Sequence, residues 1–411
     1  MRKELLVKRR HFIPLLLVFG VTTSIACTSA VVSGKATSDG RPLLWKHRDS
    51  DYERNKLKYF HGEKFDFIGL VNSDTLESEV WMGSNSTGFS IMNTVAYNLN
   101  RGKKANVPDD QEGMFMYQAL ATCATLSDFE VMLNNTAGKR GVEANFGVID
   151  AAGGAAYYEV GHFTSVKFDV NDPVVAPRGY LLRTNFGFSG DKESGKGYIR
   201  YWTAEDLFFT KYTQKGISLE FVLQTADRCL EHSLTKINLY NGPIPEDTSV
   251  TQFVPFRDYI VRNSTVSSMV VQGVRPGEDP RLTTIWTLLG FPLTTIALPV
   301  WVAGGDSLPV AALSKDGRTS PLNDRSLVLK RKCFPVTLDN CRDYLSLPIV
   351  LNRRETGTVQ KILPEEKIIL RQTETLMDMW RTGEFQRGQA RKHYEWVDNF
   401  IEHFYRTEFG L

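Results

Sequence analysis

The chain has little cysteine: five residues in 411, with no CxxC pair and no His-rich spacing, so the sequence offers no pattern for a zinc site. Net charge is also scarce. Lys and Arg number 49 against 47 Asp and Glu, a formal charge of +2, and no basic stripe runs along the chain of the kind that binds nucleic acid. Long unbroken apolar runs are missing too. The uncharged stretch from Leu282 to Gly305 is interrupted by Pro292 and Pro299 and turns at Gly290-Phe291-Pro292, so it predicts two buried strands rather than a membrane helix. There is no internal repeat and no low-complexity tract. With 42% hydrophobic and 11% aromatic residues, a substantial core is expected and wholesale disorder is excluded.

What is present is concentrated at the N-terminus. Lys3, Lys8, Arg9 and Arg10 form a basic segment, Phe12 to Val21 an apolar core of about ten residues, and Thr22 to Ala26 a small, polar end. That pattern fits a secretory signal, being too short for a bilayer span, which needs about twenty apolar residues. Ser24 at −3 and Ala26 at −1 place the cut before Cys27, leaving 385 residues. The removed segment carries five basic residues and one acidic, so the mature chain is expected at a net charge of about −2. The reading implies an exported protein, periplasmic or extracellular in a bacterium. Two alternatives stay open: a retained signal anchor, and lipidation of Cys27 as in bacterial lipoproteins, for which Leu is usual at −3.

A chain that begins at Cys27 carries nucleophile and base on one residue, because the thiol attacks and its own α-amine takes the proton. Lipidation would block that amine, so catalysis and a lipid anchor exclude each other. The remaining Cys123, Cys229, Cys333 and Cys341 are even in number. In an exported chain that allows disulfides, Cys333 with Cys341 closing a short loop, and free buried thiols are the alternative for Cys123 and Cys229.

Along the chain, Cys27-Thr-Ser-Ala-Val-Val, a turn at Ser38-Asp39-Gly40 and Leu43-Leu-Trp-Lys46 read as a hairpin whose first residue is the nucleophile. Strands are predicted near 67–71, 79–82, 89–93, 144–150, 155–160 and 180–185. Helices are predicted over 111–124, from 127 to about 133 with Ser127 as N-cap, and over 204–212 and 219–230. From Glu365 to Phe409 apolar residues recur at three-to-four spacing, a helical hairpin broken near Thr382-Gly383. The hairpin returns His47-Arg48-Asp49-Ser50-Asp51 beside Cys27, where Arg48 would favour a thiolate and Asp51 would hold the α-ammonium. Asn185, in Arg183-Thr184-Asn185-Phe186-Gly187, would donate to a developing oxyanion. Ordinary solvated ion pairs and a turn asparagine are the plain readings of the same residues. Trp81, Phe89, Tyr97 and Phe186 are candidates to line an acyl pocket, or else core.

Taken together, Cys27-Thr-Ser-Ala-Val-Val, the Gly40-Arg-Pro-Leu-Leu-Trp-Lys-His-Arg48-Asp-Ser-Asp51 block and Thr184-Asn185 resemble the N-terminal-nucleophile (Ntn) cysteine hydrolases. The nearest subgroups are the isopenicillin-N acyltransferase-like and choloylglycine hydrolase-like enzymes, and the opening residues are also similar to the Ntn dipeptidases. The resemblance covers roughly residues 27 to 310. It implies an α+β fold, a four-layer αββα sandwich over 27–350, followed by a C-terminal helical extension over 351–411. Arg48-Asp-Ser-Asp51 keeps the Arg-x-x-Asp spacing of choloylglycine hydrolases after a hairpin several residues longer. Asn185 matches the family's oxyanion asparagine, Asn93 a second one, and Asn145 to Glu159 a two-strand motif read as scaffold. Where the family carries a later arginine, this chain has Ser267, Ser268 and Met269, with Arg275 and Arg281 nearby.

The implied activity is cleavage, or acyl transfer, of a linear carbon–nitrogen amide bond through a Cys27 thioester, with Cys27, Arg48, Asp51, Asn185 and Asn93 at the site and neither cofactor nor metal. The implied partner is a small-molecule amide: an N-acyl amine, an amino-acid conjugate or a small peptide. No nucleic acid is expected, a membrane only through lipidated Cys27, and a homo-oligomer stays open. The alternatives are an Ntn dipeptidase and a lipid-anchored, non-catalytic binding protein.

Overall fold

The structure, a computed structural model, describes residues 26–73, 79–100, 104 and 106–411. The expected signal peptide therefore lies outside the described residues, Ala26 excepted. From Cys27 the chain forms the hairpin β1 (Cys27–Val32) and β2 (Leu43–Asp49), then β3 (Asn55–Phe60), β4 (Phe67–Asn72), β5 (Met82–Asn85) and β6 (Ser90–Val95). Helices α1 (Glu112–Thr122) and α2 (Leu126–Asn135) precede β7 (Ala144–Ile149), β8 (Ala155–Val160), β9 (Ser165–Asp169) and β10 (Tyr180–Arg183). Next come α3 (Tyr198–Thr213), the single turn α4 (Leu219–Phe221), and three short strands, β11 (Glu231–His232), β12 (Ile237–Asn238) and β13 (Phe253–Pro255). Strands β14 (Thr265–Gln272), β15 (Thr284–Leu289) and β16 (Leu298–Val300) follow. The chain then runs through α5 (Pro321–Cys333), β17 (Tyr344–Ser346), α6 (Leu347–Val350), α7 (Thr358–Thr382) and α8 (Arg387–Phe409).

Two antiparallel sheets form the centre: six strands in the order β10-β1-β2-β14-β15-β16, and seven in the order β3 to β9. They stack face to face, with β1 and β2 lying over β6, β7 and β8. Alternation sorts the side chains of the hairpin. Cys27, Ser29 and Val31 point between the sheets with their cross-strand partners Arg48, Lys46 and Leu44, and the Ser29 hydroxyl meets the Tyr157 hydroxyl of β8 at 2.8 Å. The opposite face is turned to helices, where Trp45 stacks on Phe208 of α3. Outside the seven-stranded sheet, Phe115, Met116 and Leu120 of α1 and Phe129 and Leu133 of α2 pack on Phe67, Phe89, Ile91, Phe146 and Tyr158. Outside the six-stranded sheet, Phe208 of α3, Ile362 and Ile369 of α7 and Ile401 and Phe404 of α8 share a core with Trp45, Val270 and Leu288. The result is an αββα sandwich with helices at its C-terminus. No helix among the described residues is long and apolar enough to cross a membrane.

Helix α7 is fastened by charge as well as apolar packing. Glu366 pairs with Arg228 at 2.6 Å and accepts from the Ala297 amide at 2.7 Å, with both charged side chains fully buried. Burial raises the Glu366 pKa, and Arg228 opposes that rise.

Several expectations shift. Helix α2 starts at Thr125, not Ser127, because Thr125 and Asp128 form a reciprocal capping box that Ser127 is placed too late to make. The strand expected at 79–82 lies at 82–85, pairing Met82 with Leu70. The helix expected over 219–230 is one α-turn continuing into a π-helical turn at Val222–Ala226. It ends where Asp227 is drawn onto the sheet by Trp45 Nε1 at 2.7 Å and Ser268 Oγ at 2.5 Å. The disulfide allowed for Cys333 and Cys341 does not form: all five cysteines are free, with Cys333 buried in α5 and Cys341 exposed.

Candidate active site

Cys27 is the first residue of β1, an inner strand, and its side chain enters the space between the sheets with only 2% exposure. Directly across the ladder stands Arg48, and Ser267 follows in β14. The Cys27 backbone nitrogen donates to Asn185 Oδ1 at 3.1 Å. In this structure that nitrogen is the peptide N of the Ala26–Cys27 bond, so it stands in for the α-amine of a chain cut there. Asn185 is the second residue after β10, the strand paired with β1 on its other side.

Two residues that the sequence did not single out complete this end of the sheet. Arg200, in the first turn of α3, donates to the Cys27 carbonyl at 2.6 Å, to Thr28 Oγ1 at 2.9 Å and to Asn185 Oδ1 at 2.7 Å. A guanidinium has only donors, so the atom of Asn185 that it touches is the oxygen, and the amide orientation is thereby fixed. Nδ2 then faces the other way, giving one hydrogen to the Val95 carbonyl at 2.9 Å and keeping a second. Burial lowers the Arg200 pKa to about 10, with Arg262 adding to the fall.

Lys46 is the other. Its ammonium lies on the same face of β2 as Arg48, donating to Asn93 Oδ1 at 2.6 Å and to the Trp81 carbonyl at 2.8 Å. Burial pushes its pKa down to about 8, against the opposing pull of negative charge on Cys27. Arg48 Nη1 donates to Asn55 Oδ1 at 2.5 Å, and Nη2 to Asn72 Oδ1 at 2.9 Å and Ser50 Oγ at 3.2 Å, with the guanidinium 4.8 Å from the Trp81 ring centroid. Burial brings its pKa down to about 10, again opposed by Cys27. Asp49, on the helix-facing side, holds Arg262 at 2.8 Å.

The structure thus gathers Cys27, Arg48 and Asn185 at one end of the six-stranded sheet and ties Asn93 to them through Lys46. Asp51 sits exposed, two residues beyond β2. Of the four aromatic candidates, Trp81 stacks on Arg48, and the Tyr97 amide donates to the Asn185 carbonyl at 3.4 Å. The Tyr97 phenol is pushed up to about 12 by burial and by charge on Cys27. Phe186 stacks on Tyr198 of α3. Phe89 takes the core alternative: it is buried under the other helix layer against Phe129, away from the inter-sheet space. Strand alternation could have found Lys46, since Lys46 and Arg48 are two apart in a strand. Nothing local marks Arg200, whose role arises only when α3 docks on β1.

No family model matches the sequence, and no curated protein does either. Solved structures do resemble it. The N-acylethanolamine-hydrolyzing acid amidase ortholog of Caenorhabditis elegans is 15% identical with a TM-score of 0.34, over 47% of this chain and 86% of that one. A conjugated bile acid hydrolase from Clostridium perfringens is 10% identical with a TM-score of 0.38, over 67% and 92%. Penicillin V acylase from Agrobacterium tumefaciens is 10% identical with a TM-score of 0.35, over 67% and 86%. The chemistry of the site rests on its own geometry.

Proposed function

We propose that this chain is exported, is cut before Cys27, and then hydrolyses or transfers the acyl group of a linear carbon–nitrogen amide, with Cys27 Sγ as nucleophile. The observation that carries the reading is the hydrogen bond from the Cys27 nitrogen to Asn185 Oδ1, on a residue whose thiol faces Arg48 between the sheets. An amine held there by one N–H keeps its lone pair for the thiol proton.

In the reaction Sγ attacks the carbonyl carbon as its proton passes to the α-amine, and the carbonyl electrons move onto oxygen. The second Asn185 Nδ2 hydrogen is the donor for that oxyanion. Collapse breaks the C–N bond, the α-ammonium protonates the leaving amine, and the acyl group stays on sulfur as a thioester. Water, or a second amine, then attacks the thioester, with the α-amine taking its proton and the thiol released. Arg200 holds the Cys27 carbonyl and Asn185 Oδ1 together, so nucleophile and donor keep one geometry. The substrate class is an N-acyl amine, an amino-acid conjugate or a small peptide.

The test is an intact mass of the exported protein together with turnover of a panel of chromogenic N-acyl amides by wild type and Cys27→Ala. A mass beginning at unmodified Cys27, with turnover abolished in the variant, is the expected result. A diacylglyceryl or N-acyl mass on Cys27, an uncut chain, or full turnover by Cys27→Ala would sink the proposal.

A further inference from the structure

Asn145 is fully buried near the start of β7, and its side-chain oxygen has no hydrogen-bond partner. A buried acceptor left unpaired is a cost to the fold that an apolar side chain would avoid. Its Nδ2 is heavily used. It lies 3.2 Å from the Thr184 carbonyl and 3.1 Å from the Phe186 carbonyl, the two peptide oxygens that flank Asn185, and 3.0 Å from Thr94 Oγ1.

The pairing register explains how. Thr94, Asn145 and Glu159 stand side by side across β6, β7 and β8, a polar row on the seven-stranded sheet opposite the segment that leaves β10. Glu159, also buried, takes the rest of that segment. It accepts from Arg183 Nε at 2.9 Å, the Phe188 amide at 2.8 Å, the Ser189 amide at 2.7 Å and Ser189 Oγ at 2.6 Å. Residues 183 to 189, Asn185 among them, are therefore gripped from the facing sheet.

Resting on the proposed function, we infer that Asn145 is a positioning residue for Asn185: it holds the carbonyls of the residues before and after the oxyanion donor and fixes where that amide points. The otherwise costly polar side chain is retained for this aim. Glu159 anchors the loop beyond, and the two act on the reaction only through Asn185.

Asn145→Leu keeps the size, removes the donors and removes the orphaned acceptor. A displacement near 1 Å at a reacting group costs about 100-fold. The variant should therefore lose about 10- to 100-fold in kcat with KM within about threefold, while its thermal midpoint falls modestly, because the buried Thr184 and Phe186 carbonyls lose their donor. Asn145→Thr, which restores one hydroxyl donor, should recover part of the loss and serves if the Leu variant does not fold. A second readout needs no substrate. An aliphatic aldehyde traps the nucleophile as a hemithioacetal: sulfur bonds to the carbonyl carbon and the thiol proton passes to the oxygen, which draws on the oxyanion donor. Alkylation by iodoacetamide, which displaces iodide from a methylene carbon, does not. Aldehyde affinity should fall by the same factor as kcat while the alkylation rate holds. Unchanged kcat and aldehyde affinity in both Asn145 variants, with Cys27→Ala inactive, would overturn the inference alone. Turnover or adduct formation by Cys27→Ala would overturn the reading on which it rests, and the inference with it.

Discussion

Lys46 offers a perturbation whose size can be worked from the structure. Its ammonium is buried beside Cys27, and burial brings its pKa from 10.5 to about 8. The folded value lies below the unfolded one, so between about pH 8 and 10.5 the unfolded chain binds the extra proton. Stability contributed by this group therefore rises with pH through that window, by about 3 kcal/mol in all. Other groups pull the opposite way. Burial raises the Cys123 thiol to about 11 and the Cys229 and Cys333 thiols to about 12, so the folded chain keeps protons there that the unfolded chain sheds above pH 9. Absolute stability is thus a poor readout, and the difference between wild type and Lys46→Met is the informative one, because the thiols cancel.

At pH 7 Lys46→Met relieves the buried charge but strips Asn93 Oδ1 and the Trp81 carbonyl of a donor, at about 1–3 kcal/mol each. The two effects nearly offset, leaving the chains within about 2 kcal/mol of each other. As pH rises from 8 to 10 the wild type should pull ahead by about 1.4 kcal/mol per pH unit. Urea unfolding under reducing conditions, followed by tryptophan fluorescence at pH 7, 8, 9 and 10, measures the difference directly. A gap that stays flat across the series refutes a depressed Lys46. In Cys27→Ala, the charge that most holds the proton on is gone, so the rise should begin at lower pH.

Glu366→Leu leaves Arg228 buried without its partner and should cost about 3–5 kcal/mol, whereas the double variant with Arg228→Met should recover most of it; a single variant as stable as wild type would contradict the buried pair. Asn185→Ala removes both the acceptor of the Cys27 nitrogen and the oxyanion donor, and should lower kcat by about 100- to 1,000-fold. Retention of wild-type turnover would remove Asn185 from the mechanism. Thr125→Ala deletes the capping box of α2 and should shift the unfolding free energy by about 1 kcal/mol, read from the urea midpoint.

Much of the frame is written locally. The β1–β2 hairpin follows from its apolar runs and the turn at Gly40, whose φ of +78° suits glycine. Pro292 does separate β15 from β16, whereas Pro299 lies inside the edge strand β16, and the three-to-four spacing of Leu376, Met379 and Trp380 and of Phe400, Ile401 and Phe404 gives α7 and α8 with a break at Gly383. Strand β3 escapes notice because Asn55-Lys-Leu-Lys-Tyr-Phe60 alternates charge with apolar residues over only six positions, and β9 because it is largely exposed. Helix α3 starts six residues before its predicted start, at Tyr198 after Gly197 in a left-handed conformation, where no polar cap announces it. That misplacement also hid Arg200. At the site, the thiol could be named from the expected cut before it and Asn185 from its place at a strand end together with the family resemblance, but their joining is tertiary: it depends on β10 pairing with β1 and on α3 lying over both.

The ion pair of Glu366 with Arg228 also binds the end of the chain to its middle. Beside Phe208 of α3, much of the cover on the outer face of the nucleophile's sheet comes from the last fifty residues, with Tyr405 Oη donating to the Thr294 carbonyl at 2.8 Å. Without them this face is only partly covered and Arg228 has no acid to pair with. Contacts of such long sequence separation are the slow ones to form. Completing the cover behind the candidate active site therefore takes the polypeptide through Tyr405.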